Sequence, residues 1–181
     1  MTVINAGALD LTGFHTTNEV VPADLVIDLS TSTWKTVMRV VVPVQAGDLL
    51  DVSAWMKATN DEGYNVGLGA HLWAYDCDPA PGPDGTVPAV SVRPWWRLDG
   101  EAGSVGENVT KDTHHITLAV AVPYVVPVDW PVGHRIVIVL RADAHSTAWD
   151  KDGDGVAEDR LTVDPYGRLT VRRYTPRTEA V

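Results

Sequence analysis

Two-residue alternation of apolar and polar side chains, sustained over run after run and never giving way to a helical beat, most limits what this chain can fold into. From Thr33 to Val44 the even positions read Trp34, Thr36, Met38, Val40, Val42 and Val44, while Lys35 and Arg39 fall on the odd side. From Leu50 to Ala58 the even set is Leu50, Val52, Ala54, Met56 and Ala58, with Asp51, Ser53 and Lys57 opposite. A period of two sends one set of side chains into a core and turns the other toward solvent or a second layer. The pattern predicts strands over 25–29, 33–44, 48–59, 64–76, 90–98, 115–122 and 134–142.

Turn chemistry places the breaks. Asn60-Asp61-Glu62-Gly63 predicts a hairpin joining 48–59 to 64–76. Gly67 and Gly69 in the second of these strands imply either a bulge or a close backbone approach. Pro79, Pro81, Pro83 and Pro88 mark a stiff exposed loop, because proline cannot donate to a ladder. A second loop, over 99–112, is rich in glycine and charge. Asp129-Trp130-Pro131 reads as a turn with an indole tucked beneath it.

Near the end of the chain Arg160-Leu161-Thr162-Val163 and Arg168-Leu169-Thr170-Val171 repeat the same four residues around Asp164-Pro165-Tyr166-Gly167. The intervening residues suit a type I turn, so a hairpin is expected. Leu161, Val163, Leu169 and Val171 would share its buried face. Arg160, Thr162, Arg168, Thr170 and Arg172 would form a small cationic outer face. Eight or nine strands and no helix imply an all-β fold, a two-sheet antiparallel β-sandwich that is jelly-roll-like; a Greek-key sandwich of another order is the alternative. The expected organisation is a weakly patterned N-terminal arm plus one short strand over 1–24, one sandwich domain over 25–175 and a tail over 176–181.

With 181 residues, 45% of them hydrophobic, a single domain can bury a full core without staples. The formal net charge of −10 repels phosphate backbones, so no nucleic-acid partner is expected. Arg168, Arg172, Arg173 and Arg177 nevertheless crowd the last stretch. Such a basic segment on an acidic body either docks on an acidic partner or forms a solvated strand face. Cys77 is alone, which excludes an intramolecular disulfide. No run reaches the ~20 apolar residues of a membrane-crossing helix. No basic leader precedes an apolar run at the N-terminus, and the expectation is a chain folded in a reducing cytoplasm without a membrane partner.

Three patterns invite a chemical reading. Asp150, Asp152 and Asp154 alternate before Gly155, with Glu158 and Asp159 beyond, like the start of a calcium loop. The twelfth position of that loop is Leu161, so a complete EF-hand is excluded, and either a looser calcium turn or an acidic solvated loop remains. Trp95-Trp96 beside the proline loop offers either a glycan platform, from one indole at most, or an anchor in the core. The six histidines show no zinc spacing, since the adjacent His114 and His115 face opposite ways on a strand. No nucleophile elbow, phosphate loop or dinucleotide fingerprint is present, and a protein that is not an enzyme, with no cofactor other than calcium, is expected.

Several phrases stand out as units. They are Trp55-Met56-Lys57-Ala58-Thr59-Asn60-Asp61 with Gly63-Tyr64-Asn65-Val66-Gly67, then His71-Leu72-Trp73, Asp129-Trp130-Pro131, His134-Arg135, Arg141-Ala142-Asp143-Ala144-His145-Ser146 and the segment 164–173. Over about 48–175 the chain resembles virion proteins of tailed phages infecting actinobacteria, of the capsid decoration or minor tail type. The resemblance is one of phrase and composition. It implies a β-sandwich made in the host cytoplasm that assembles, often as a symmetric homo-oligomer, with other virion proteins on a capsid or tail. It carries no active-site residues. A glycan-binding module that attaches to host sugars is the other expectation.

Overall fold

The computed structural model describes residues 9–17, 25–28, 35–60, 66–77, 96–98, 104–109, 113–145 and 160–177. Within them ten strands form: β1 Leu9–Thr17, β2 Leu25–Asp28, β3 Lys35–Pro43, β4 Leu49–Asn60, β5 Val66–Cys77, β6 Trp96–Arg97, β7 Ser104–Val109, β8 Thr113–Val125, β9 Arg135–His145 and β10 Arg160–Pro176. β4 shows why. Its even residues Leu50, Val52, Met56 and Ala58 are fully buried, and Asp51, Ser53, Trp55 and Lys57 alternate with them on a partly exposed side.

The front sheet runs β1–β10–β4–β8, with β2 also pairing β10; the back sheet runs β3–β9–β5–β6, with β7 also pairing β5. Every pairing is antiparallel. β2 lies beside the first part of β10 and β1 beside its last part, so two short strands share one position. β6 and β7 share the edge of β5 in the same way. From β2 to β5 successive strands alternate between the sheets, and β8, β9 and β10 do so again. That swapping is the connectivity of a jelly roll, which confirms the expected all-β sandwich. Met38, Leu50, Met56, Leu68, Leu72, Ile136, Ile138, Leu140, Leu161 and Leu169 fill the space between the sheets.

Four local expectations change. β4 and β5 are not a hairpin: they lie in opposite sheets, and both edges of β4 are taken, by β10 and β8. Turn residues specify a reversal of the chain, not which strand the returning segment pairs with. β1, by contrast, falls where one short strand was expected within the arm segment. β7 falls inside the stretch read as a loop, where Gly106 and the charged Glu107 hid its alternation. In β3 the even-face pattern breaks at a register shift between Thr36 and Met38, so Val37 and Met38 are both buried.

The fourth change concerns the end of the chain. Residues 160–176 form one strand rather than a hairpin, and Asp164-Pro165-Tyr166-Gly167 is an outward bulge in its pairing with β4. Val163 pairs Ala58 and Gly167 pairs Met56, so the bulge absorbs the surplus residues. Proline and glycine suit a bulge as well as a turn, which is why composition did not separate the two. Asp164 turns inward to accept from the Thr59 hydroxyl at 3.0 Å. Leu161, Val163, Leu169 and Val171 share a fully buried face, as expected.

A Cβ on Gly167 would sit 2.7 Å from Met38 Cε and 3.0 Å from the Trp55 carbonyl oxygen. The methionine tip can yield; the backbone oxygen cannot. Gly167→Ala is therefore expected to cost about 1–3 kcal/mol in denaturant unfolding. Pro165→Ala, at an exposed position of the same bulge, should stay within about 0.5 kcal/mol.

Candidate functional site

Strand register arranges the outward side chains of the front sheet in rows. Phe14 lies beside Arg172, Arg172 beside Asp51 and Asp51 beside Pro123. The next row is Thr16, Thr170, Ser53 and Ala121, followed by Arg168, Trp55 and Ala119. Leu11 pairs Tyr174 at the far end. Leu11 and Phe14 are each 58% exposed. The Arg172 guanidinium lies 5.9 Å from the centre of the Phe14 ring and 3.1 Å from Asp51 Oδ2. A shallow depression of about 290 Å³ opens among Ser53, Trp55, Ala119, Ala121, Arg168 and Thr170.

The four arginines singled out as partner-binding do not form one surface. Arg168 and Arg172 face outward. Arg173, one residue on, points to the opposite side, where its Nε donates to Asp48 Oδ2 at 2.6 Å. Asp48 has no solvent exposure, and its carboxylate also accepts from the Gln45 backbone N–H at 2.8 Å and the Thr175 hydroxyl at 2.9 Å. Arg177 closes a two-pronged pair with Asp10 on β1, and that guanidinium holds the Asp10 carboxyl below its ordinary range. Thus Arg172, Arg173 and Arg177 each meet a carboxylate of the same chain. The register supplies acids that local composition does not show.

On the outward face of the back sheet, His71 Nε2 lies 3.2 Å from Asp143 Oδ1. They reach across Gly69, where a side chain would overlap both groups. The glycine thus serves a close approach, and β5 pairs its neighbours there without a bulge. Beside this pair the Arg141 guanidinium lies 5.4 Å from the Trp73 ring centre. Tyr75, Val137 and Val139 form a second buried apolar cluster on this same face. Sequence reasoning missed His71, Asp143, Arg141 and Trp73 as a group; their equal parity on two strands was the available signal.

Trp96 lies in β6 opposite Ala74, and Trp95 lies outside the described residues. Asp150, Asp152, Asp154, Glu158 and Asp159 also lie outside them. Among the described residues no three metal-ligating side chains cluster. Trp130 is buried in its turn, its backbone N–H donating to the Pro127 carbonyl at 3.0 Å, as the sequence implied.

No protein-family model matches this chain, and no curated protein sequence matches it. Among solved structures, the T13 particle of infectious bursal disease virus aligns at 13% identity and a TM-score of 0.46, over 90% of this chain and 31% of that one. The Gx strain of the same virus aligns at 14% identity and a TM-score of 0.47, over 88% and 32%. A carbohydrate-binding module that recognises mannan aligns at 16% identity and a TM-score of 0.31, over 95% and 90%. The chain spans about a third of the length of the viral chains.

Arg172→Glu and Arg173→Glu should separate sharply. Arg172 and Asp51 are both about two-fifths exposed, and losing such a pair costs about 0–1 kcal/mol. Arg173→Glu sets a carboxylate against buried Asp48 and should cost about 3–5 kcal/mol in denaturant unfolding. A pH effect follows from His15 on β1, whose pKa is lowered from 6.5 by burial and then by Arg173. The unfolded chain takes up a proton that the folded chain refuses. Stability is therefore expected to fall as pH drops below 6.5, and His15→Gln should remove that component of the pH profile.

Proposed function

We propose that this protein is a non-enzymatic structural protein of a phage virion, a capsid decoration or minor capsid protein that docks on the particle through the outer face of its front sheet. The carrying observation is that exposed Leu11 and Phe14 share the outer face of one sheet with Arg172, Arg168 and Trp55. Aromatic side chains and arginine are the residues that concentrate binding energy at protein interfaces. Asp51 holds the Arg172 guanidinium over the Phe14 ring, so a partner meets a preset surface and little side-chain entropy is lost. The resemblance of residues 48–175 to virion proteins supports the particle as the place of docking. A minor tail protein would use the same face.

The depression beside Trp55 favours glycan binding as the second reading, because a partly exposed indole flanked by Ser53, Arg168 and Thr170 offers a sugar both a ring face and polar partners.

Particle incorporation distinguishes these. The double variant Phe14→Asp, Arg168→Glu should keep its far-ultraviolet dichroism and lose at least about tenfold in occupancy on particles, the loss expected when hot-spot side chains are removed. Unchanged occupancy would overturn docking through this face. Saturable quenching of indole fluorescence by a glycan, abolished in Trp55→Ala, would favour the sugar reading instead.

A further inference from the structure

Among the described residues the front sheet ends at β8, which pairs β4 along one side from Thr113 to Val125. An open edge presents a row of backbone N–H and C=O groups to any strand that can approach. Natural sheets blunt such edges with charged side chains. This one carries none from Ile116 to Val128. Its outward positions Thr117, Ala119 and Ala121 are exposed and small, and Leu118, Val120 and Val122 point into the core. Pro123 lacks the N–H that a ladder needs and sets a limit to pairing on that side.

We infer that β8 pairs antiparallel with β8 of a second copy of this chain, about a two-fold axis beside Ala119. Three arguments select that occupant. An antiparallel edge is self-complementary: the surface that donates is the surface that accepts, as a two-fold interface requires. With the axis at Ala119, Ile116 faces Val122 of the second copy, Thr117 faces Ala121 and Leu118 faces Val120, so inward residues meet inward residues and small outward residues meet each other. Charge gives the third argument. Two molecules of net charge −10 repel, and that repulsion is weakest where the approaching strands carry no charged side chain, as here from Ile116 to Val128.

The ladder from Ile116 to Val122 is about 24 Å long, which places the contact at the small end of specific interfaces. The pairing is therefore weak and strengthens as salt screens the two acidic bodies. It joins two front sheets into one continuous sheet with their outer faces side by side. The inference stands on the edge alone and does not depend on the virion reading.

Sedimentation velocity of the full chain, from about 0.05 to about 0.5 M sodium chloride, tests it. The dimer fraction should rise with protein concentration and with salt. Ala119→Lys places two ammonium groups across the axis and should leave a monomer at every concentration, with an unchanged thermal melt. The added positive charge lowers net repulsion, so loss of the dimer reports the edge itself. Ala119→Cys in a Cys77→Ser chain should cross-link on mild oxidation, while Thr36→Cys on the back sheet should not. A chain that stays monomeric and uncross-linked would overturn the inference, and so would a dimer that survives Ala119→Lys. Particle incorporation by such a monomer would still leave docking through the front face standing.

Discussion

One aspartate shut away from solvent, through its carboxylate and its backbone carbonyl, holds three separate segments of this protein together. Asp48 accepts from the Gln45 N–H within its own turn, and from Arg173 and Thr175 at the end of β10. Its carbonyl accepts from Val126 N–H at 2.8 Å, and Gly47 N–H donates back to the Val126 carbonyl at 3.0 Å. A buried charge is tolerated only when paired and fully hydrogen-bonded. The register of β10 beside β4 is thereby set, because Arg173 must reach Asp48. A slip by one residue would send Arg172 inward and Arg173 out, and would bring Leu169 and Val171 to the surface.

Everything on the outer face of the front sheet depends on that register. Asp51 comes beside Arg172 because β4 and β10 pair as they do, and Phe14 comes beside Arg172 because β1 follows β10. The Asp10–Arg177 clamp fastens the other end of β1 at the surface. The back sheet has a different character. Its outward face buries Tyr75, Val137 and Val139 and spends its polar groups on each other, as His71 does with Asp143. The two faces of the sandwich are thus unequal, with exposed apolar side chains gathered on the front.

Fold class was legible because alternation is a one-dimensional signal: Leu50 to Ala58 announces its buried face without reference to any other strand. Pairing was not legible in the same way. Nothing within Asn60-Asp61-Glu62-Gly63 states that β4 will lie between β8 and β10, and nothing within Asp164-Pro165-Tyr166-Gly167 separates a bulge from a turn. The arginines show the limit most clearly. Their cluster is visible in composition, yet Asp10, Asp48 and Asp51, more than a hundred positions away, decide what each does. Parity alone would have divided Arg172 from Arg173, since neighbours on a strand face opposite ways.

A jelly roll with one covered face and one face of arginine and exposed rings suits a protein whose work is to sit on a larger assembly. Hydroxyl-radical footprinting of the protein on intact particles and free in solution tests that directly. Phe14 and Trp55 should become strongly protected on the particle, while Val132, fully exposed on the loop after β8, keeps its reactivity. Equal reactivity of Phe14 and Trp55 in the two states would contradict the account.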